Sequence, residues 1–366
     1  MTHESFFEQD WNTTVSRLGG AAALEASARE TGALVRARAI ASAVVLLRLI
    51  LAYCLGDRGL RSTAAWATAM GLADISNVAL LYRLRQCGDW LALLIGRVLA
   101  AAAPRAGRGR LIRIVDATSV PKAGVAARKK NWLWRIHSAF ALPRERLDHV
   151  ELTDERGGEQ LDRIPVVPGE IRIADRAYLQ PERMGRVLDA GGDLVVRAGW
   201  KNARWLDGKG RPLELPALFK KHARRGLIDR PIWIARKSGG VLALRLVAVK
   251  KPPQACAEAR RKARREAQRG RHRISQATLI AADWVILVTS LKAQDFSADA
   301  VLALYRLRWR IELAFKRLKS GIGLKGPPNR DPQVARAYIL AHLLMILLLE
   351  PLIDEFEDSP RWAVAA

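Results

Sequence analysis

The chain has 366 residues, half of them hydrophobic, which is enough for two or three domains around apolar cores. Lys and Arg number 61 against 36 Asp and Glu, and the formal net charge of +25 indicates a polyanionic partner rather than a small-molecule substrate. The three cysteines, Cys54, Cys87 and Cys256, form no paired motif, which excludes a disulfide framework and a cysteine-based zinc site.

Two apolar stretches, 39–55 and 338–353, are interrupted by charged or polar residues and fall short of the roughly 20 apolar residues that a membrane span needs. We expect both to be buried helices and expect no membrane partner. The N-terminus lacks the basic stub and apolar segment of a signal peptide, so a cytoplasmic location is predicted.

The predicted fold class is α/β, preceded by an all-helical N-terminal DNA-binding region. Residues 1–105 favour helices because apolar positions recur every three or four residues. Within them, Ser62–Met70 and Ser76–Gln86 flank a break at Gly71. This pattern fits a DNA-reading helix-turn-helix and an ordinary helical hairpin equally well.

From residue 106 onward, short apolar runs alternate with helical stretches, as in an α/β domain. The predicted regions are a first part of the α/β domain (106–199), a β-rich insertion with a basic helix (200–280), a last part of the α/β domain (281–325) and a helical C-terminal region (326–366). The basic segment 259–273 carries eight Arg or Lys residues. It is either a solvated face or a track for phosphates.

Two acids, Asp116 and Asp175, each follow a short apolar run and are predicted to stand at the end of a strand. Acids at strand ends can coordinate a divalent ion, but they also commonly cap turns, and either residue alone leaves both interpretations open.

A third segment, 305–319, is predicted to be one helix. Its polar residues at offsets 0, 3, 7, 11 and 14 fall within an arc of about 80° at 100° per residue, so they share one face. These residues are Tyr305, Arg308, Glu312, Lys316 and Lys319. The face could line a groove, or it could be an exposed surface on which Glu312 pairs with Lys316.

Together the three segments resemble the acidic blocks of the IS4-type DDE transposases. The matching motifs are Ile114-Val115-Asp116-Ala117-Thr118, Ile173-Ala174-Asp175-Arg176-Ala177-Tyr178 and Tyr305-x2-Arg308-x3-Glu312-x3-Lys316-x2-Lys319. The separations of 59 residues from Asp116 to Asp175 and 137 from Asp175 to Glu312 also fit that family, with an insertion before the last acid. The resemblance covers about residues 60 to 325.

The resemblance implies an RNase H-like catalytic domain and a two-metal centre for cleaving phosphodiesters. Asp116, Asp175 and Glu312 would be both catalytic residues and ligands of Mg²⁺, with Mn²⁺ as a substitute, and Asp116 would bridge the two ions. An all-oxygen ligand set suits these hard cations.

The resemblance also implies the DNA contacts. Tyr305, Arg308, Lys316 and Lys319 would grip backbone phosphates, with Arg176 beside the second acid. Trp284 occupies a position at which relatives stack a flipped base, and the alternative is a Trp packed in the sheet edge. The implied partners are double-stranded DNA, as transposon ends and target, and a second copy of the chain in a synaptic homodimer. The implied location is the nucleoid of a bacterial cytoplasm.

The sequence therefore predicts an insertion-sequence transposase that cuts its element's ends and joins them to target DNA. The sequence leaves two alternative functions open. One is an RNase H-like nuclease that selects DNA structures and only hydrolyses. The other is a non-catalytic DNA-binding regulator of transposition.

Overall fold

A computed structural model describes residues 11–101, 110–123, 133–142, 146–316, 319, 323–324 and 326–357, with backbone alone for 350–357. Parts of the predicted regions, among them residues 1–10, 102–109 and 358–366, lie outside the described residues. The architecture is mixed α/β: helices precede, interrupt and follow one nine-stranded mixed sheet within the described chain.

Residues 11–101 form helices, with no strand in that range. The helices are α1 (residues 11–17), α2 (Gly20–Glu30), α3 (Ala43–Leu55), α4 (Leu60–Ala69), α5 (Asn77–Gln86) and α6 (Gly88–Ala101). Ser42 caps α3 by accepting a hydrogen bond from the Val45 amide, and the buried Trp90 indole donates to Ser27 Oγ over 2.9 Å. These bonds satisfy polar groups that burial would otherwise leave unpaired.

The sheet continues through the predicted insertion rather than stopping at it. Its strands are β1 (Ile112–Pro121), β2 (Leu133–Leu142), β3 (Arg146–Thr153), β4 (Ile171–Ala174), β5 (Asp193–Arg197), β6 (Trp205–Leu206), β7 (Leu227–Ala235), β8 (Val241–Lys250) and β9 (Trp284–Thr289). The strand order is β3-β2-β1-β4-β5-β9-β8-β7-β6. Strands β1, β4 and β5 are parallel, and every other pairing is antiparallel.

Helices cover both faces of the sheet. They are α7 (Pro181–Asp189), α8 (Leu215–Lys221), α9 (Pro253–Arg269), α10 (Gln276–Ala282), α11 (Ala298–Arg306), α12 (Trp309–Lys316) and α13 (Pro332–Glu357), with a 3₁₀ turn at Arg176–Tyr178. Alternate strand residues point to opposite faces, so Ile114 belongs to the core shared with the N-terminal helices, and Val115 to the core under α7 and α8.

Helix α13 has the length and hydropathy of a membrane span over Pro332–Leu349, but 72% of that window is buried inside the protein. It packs against α3, α5 and α6. This burial identifies α13 as a core helix up to residue 349, as predicted for that part of 338–353, and α3 occupies the same core.

A buried ion-pair network fixes the segment between β3 and β4. Arg172 and Glu170 are fully buried and hydrogen-bonded to each other. Arg113 bonds Glu170 over 2.9 Å and Asp148 over 2.7 Å. Arg172 also donates to the Pro165 carbonyl over 2.7 Å. Because Arg113 belongs to β1, Asp148 to β3 and Arg172 to β4, the network ties the segment to these three strands.

Candidate active site

Two of the predicted acids lie side by side on neighbouring parallel strands. Val115 of β1 is paired with Ala174 of β4, and Asp116 and Asp175 are the residues that follow this pair. Parallel strands are about 4.8 Å apart, so the two backbones place both carboxylates at one edge. Asp175 follows β4 as predicted.

Asp116, however, is inside its strand, and its predicted place at the strand end is wrong. Strand β1 continues to Pro121 because residues 116–121 pair with β2. The acid nevertheless occupies the point where the parallel pairing with β4 stops, since β4 ends at Ala174. The crevice beyond that point is where open α/β sheets place their sites.

The Asp116 carboxyl is largely enclosed. Its side chain is 17% exposed, and its Oδ1 accepts a hydrogen bond from the Ala117 amide over 2.8 Å. Burial is the main cause that raises the pKa of Asp116 to about 6; the charge of Asp175 adds to the rise, while the Ala117 bond and Arg308 oppose it. The contacts with Arg308 and the Ala117 amide therefore do not fully offset the cost of burying the ionised Asp116 carboxylate.

Asp175 begins the 3₁₀ turn that follows β4. Its Oδ1 accepts a hydrogen bond from the Ala177 amide over 2.7 Å. This bond fixes one carboxylate oxygen of Asp175, which is half-buried.

The third predicted block is two helices rather than one. Helix α11 ends at Arg306 and α12 begins at Trp309. The Arg308 amide bonds the Tyr305 carbonyl over 3.1 Å, a tighter i to i−3 bond. The two halves pack on different parts of the sheet, α11 on β4, β5 and β8 and α12 on β1 and β2. Because the sheet twists, one straight helix would not bury both apolar stripes.

The break places Arg308 between two of the acids. Its Nη1 lies 3.5 Å from Asp116 Oδ2, and its Nη2 is hydrogen-bonded to Glu312 Oε1. The side chain of Arg308 is 19% exposed and that of Glu312 is 55% exposed. The three acids thus converge: Asp116 adjoins Asp175 and is one guanidinium away from Glu312.

We tested whether these residues fit a divalent cation. Among the described residues, no three His, Cys, Asp or Glu side chains form a ready-made cage. The donor set, however, consists of carboxylates, which hard cations prefer. Two buried hydroxyls beside it, Ser138 Oγ and Tyr178 OH, have no hydrogen-bond partner in the described part of the chain. Ser138 is directly opposite Asp116 on β2, so both side chains share one face. The site therefore fits a hydrated cation once Glu312 leaves Arg308.

The predicted DNA-binding residues differ in exposure. Lys316, Lys319 and Arg176 are exposed, whereas Tyr305 is half-buried, and its burial raises the pKa of its hydroxyl. Trp284 is 4% exposed, and its ring stacks on Phe219 with centroids 5.1 Å apart. This packing supports the alternative of a Trp in the sheet rather than a base-stacking platform.

A cavity of about 320 Å³ extends from Asp175 toward the basic helix α9. Its polar and aromatic lining includes Asp175, Arg176, Arg197, Trp200, Lys251, Lys262, Glu266, Trp284 and Arg308. The basic run in the sequence pointed to Lys262, but no local pattern marked Arg197 or Lys251. Those two residues come from strand ends that only the folded sheet brings to the cavity.

The predicted helix-turn-helix corresponds to α4 and α5, joined by residues 70–76. Tyr82 and Val78 on α5 are 56% and 54% exposed. Arg85 is held by Asp331 of the segment before α13 over 2.6 Å. The hairpin is thus anchored on one side and presents apolar side chains on the other.

Comparison with known proteins agrees with this arrangement. The family model for the transposase DDE domain matches residues 107–348. The chain is 35% identical over 363 residues to the transposase InsL for insertion sequence element IS186A of Escherichia coli strain K12, covering 97% of each chain. It is also 35% identical over 364 residues to the transposase for insertion sequence element IS421 of Escherichia coli, again covering 97% of each chain. The proteins most similar in these comparisons are thus transposases, and the family model that matches is that of a transposase domain. The chain belongs to the DDE-domain transposases of insertion sequence elements.

Proposed function

We propose that this chain is a transposase of the IS4 type that cleaves the ends of its element and transfers them to target DNA with Mg²⁺, for which Mn²⁺ can substitute. The observation that carries the proposal is the convergence of three acids: Asp175 follows the strand next to Asp116, and Arg308 links Asp116 to Glu312. In the sequence these acids are 59 and 137 residues apart.

The sheet supports an RNase H-like catalytic domain. Its first five strands have the order β3-β2-β1-β4-β5, with β2 antiparallel to β1 and with β1, β4 and β5 parallel. The proposed domain thus comprises these strands and the α11–α12 segment. Strands β6 to β9 extend the same sheet beyond β5 and bring α9 to the cavity.

Asp116, Asp175 and Glu312 would hold the divalent ions. A pair of such ions activates an oxygen nucleophile and stabilises the leaving oxygen in an in-line phosphoryl transfer. The chain's own residues fix the ligands: the Ala117 amide orients Asp116, and the Ala177 amide orients Asp175. Arg308 offsets part of the negative charge of Asp116 and Glu312 by its contacts with both.

Exposed cations follow two of the acids in the chain. Lys316 and Lys319 come after Glu312, Arg176 comes directly after Asp175, and all three are exposed. The cavity continues this positive surface to Lys262 on α9. We propose that backbone phosphates follow a path along these cations and that α5 contributes to end binding.

Synapsis of two ends requires two catalytic centres, and we propose a homodimer assembled on DNA. The net charge of +25 supports binding to a polyanion, and the nucleoid of the bacterial cytoplasm would be its location.

The experiment that tests this function is a strand-transfer assay. Purified protein, Mg²⁺ and pre-cut 3′-hydroxyl duplexes carrying the inverted repeats that flank the reading frame are incubated with a plasmid target. We expect joined products. Hydrolysis without joining would instead identify a structure-selective nuclease, and binding without either reaction would identify a non-catalytic regulator.

A further inference from the structure

We propose that the outer face of helix α9, defined by Arg261, Arg265 and Arg269, binds the phosphates of the target duplex, apart from the DNA that reaches the acids. This inference rests on the proposed function, because it names the surface that holds the second DNA partner of the same reaction. Residues 200–280, which include α9, contain 22 Lys or Arg against 5 Asp or Glu and carry most of the net charge of +25. The three acids of the proposed centre all lie outside this range.

Helix α9 is attached to the rest of the protein along one side. Its buried residues are Cys256 and Ala267, and half-buried alanines lie between them at helical spacing. The Arg260 guanidinium is hydrogen-bonded to the Asp283 carboxylate, with its Nε 2.7 Å from Oδ1. The small side chains allow α9 to pack on α10. The rest of the circumference of α9 is exposed.

The outer face is on another side of α9 from the cavity beside Asp175. The residues of α9 that line this cavity are Ala259, Lys262, Ala263 and Glu266. At about 100° per residue, Arg261 and Arg265 lie about 160° around the helix from Ala263. A strand in the cavity can therefore contact Lys262, whereas the outer face is free to hold a different DNA segment.

The outer-face arginines are exposed and are not neutralised by acids. In the described part of the chain, Arg260 is the one Lys or Arg of α9 that forms an ion pair. Glu258 and Glu266, the two acids of the helix, border the same surface groove as the arginines without pairing with them. The side chains of the outer face thus keep their charge and their hydrogen-bond donors available to a ligand.

The spacing of these arginines also indicates a polyanion. Arg261 and Arg265 are four residues apart, as are Arg265 and Arg269, and like charges at this spacing destabilise a helix. Phosphates bound along the face would relieve that repulsion. The arrangement therefore favours a phosphate-binding surface over a solvated helix face, which usually mixes both signs of charge.

The length of the outer face fits a DNA backbone. Helix α9 has 17 residues, which gives about 25 Å, and the outer-face arginines are about 6 Å apart along its axis. Because a DNA strand advances about 3.4 Å along the duplex axis per phosphate, each of the three can meet a phosphate of one strand.

The chemistry of the face favours the target over the element's ends. All residues of α9 are described, and none is an exposed aromatic or large apolar residue that could pack against bases. Phosphate contacts hold a duplex without reading its sequence, whereas recognition of an end requires contacts to base edges. A duplex held by its backbone alone matches the role of the target.

The test compares joining with cleavage by the full-length protein. One variant replaces the three outer-face arginines: Arg261→Gln, Arg265→Gln and Arg269→Gln. The matched control removes the same charge from three exposed lysines outside α9: Lys209→Gln, Lys237→Gln and Lys292→Gln. Pre-cut ends are joined to increasing concentrations of plasmid, and cleavage of end-containing DNA is measured separately.

We expect the outer-face variant to need about 10-fold more plasmid for half-maximal joining and to cleave ends at the unsubstituted rate. For a duplex without ends, its slope of log K against log salt should be shallower by about 2.7, which corresponds to three lost phosphate contacts. Its melting temperature without DNA should not fall, because the substituted side chains are exposed and unpaired. The control should need the same plasmid concentration as the unsubstituted protein.

Unchanged joining by the outer-face variant, or an equal loss in the control, would overturn the inference while the proposed function stands. A loss of affinity for a short end duplex as large as that for the duplex without ends would also overturn it, because the face would then hold ends. If the unsubstituted protein joins no ends, the proposed function is overturned, and the inference falls with it.

Discussion

The Nη1 atom of Arg308 lies 3.5 Å from Oδ2 of Asp116, which links the turn between α11 and α12 to the middle of β1 across 192 residues of sequence. The same guanidinium bonds Glu312. Arg308 thus supplies positive charge where the proposed function needs a divalent cation, and the two would compete for the same carboxylates.

Replacing Arg308 by Gln should strengthen metal binding. Without the guanidinium, Asp116 and Glu312 lose their competing partner, and we expect Mn²⁺ affinity of the DNA-free protein to rise about fivefold, which corresponds to about 1 kcal/mol. Arg306→Gln, at the exposed end of α11, is the control. Isothermal titration with Mn²⁺ measures the effect, and unchanged or weaker binding by Arg308→Gln would contradict the competition.

The ionised Asp116 carboxyl should destabilise the metal-free fold. Its pKa is about 6 in the folded protein against an ordinary 3.8, so the folded state holds a proton that the unfolded chain releases. Stability therefore falls as pH rises from 3.8 to 6 and stays low above that range. Asp116→Asn should raise the free energy of unfolding by about 2–3 kcal/mol at pH 7 and by nothing below pH 3.8. Urea unfolding at both pH values checks this, and an equal gain at both would refute the electrostatic cause.

The sequence was informative about the order of the elements and about the acids, because apolar periodicity and an acid directly after a short apolar run are local signals. It placed Asp116 wrongly at a strand end, since the pairing of residues 116–121 with β2 is not visible in the sequence. It was wrong about the continuous helix over 305–319, since the break at Arg308 depends on how α11 and α12 fit a twisted sheet. The sequence also did not predict the ion pair of Arg308 with Asp116 or the positions of Arg197 and Lys251 in the cavity. Those neighbours meet only through strand pairing and crossover connections.

Lys262 should contribute one phosphate contact. It lines the cavity that starts at Asp175, and neutralising it removes one cation from the proposed path. For Lys262→Gln we expect weaker binding to end-containing duplex that extends past the cleavage position, and a slope of log K against log salt that is shallower by about 0.9. Lys209→Gln, in the exposed turn after β6, has the same change in charge and is the control. Equal losses of DNA affinity in the two variants would indicate general electrostatic attraction instead of a phosphate contact at Lys262.

The buried ion pair of Arg172 with Glu170 should matter strongly for stability. Removing one partner of a buried pair leaves an incompletely compensated charge, so Arg172→Met should lower the free energy of unfolding by about 3 kcal/mol. Arg186→Met removes an arginine that is 62% exposed from its pair with Asp162 and should cost less than about 1 kcal/mol. Guanidinium unfolding curves compare the two, and a cost for Arg172→Met as small as that of the exposed pair would contradict the buried-charge argument.

The most direct measurement of the central claim is Mg²⁺-dependent cleavage of end-containing DNA by three single variants, Asp116→Ala, Asp175→Ala and Glu312→Ala, alongside their binding to the same DNA without metal. If the three carboxylates form one catalytic centre, each variant loses cleavage to the background level while retaining end binding. Cleavage at the unsubstituted rate by any of the three would contradict the account.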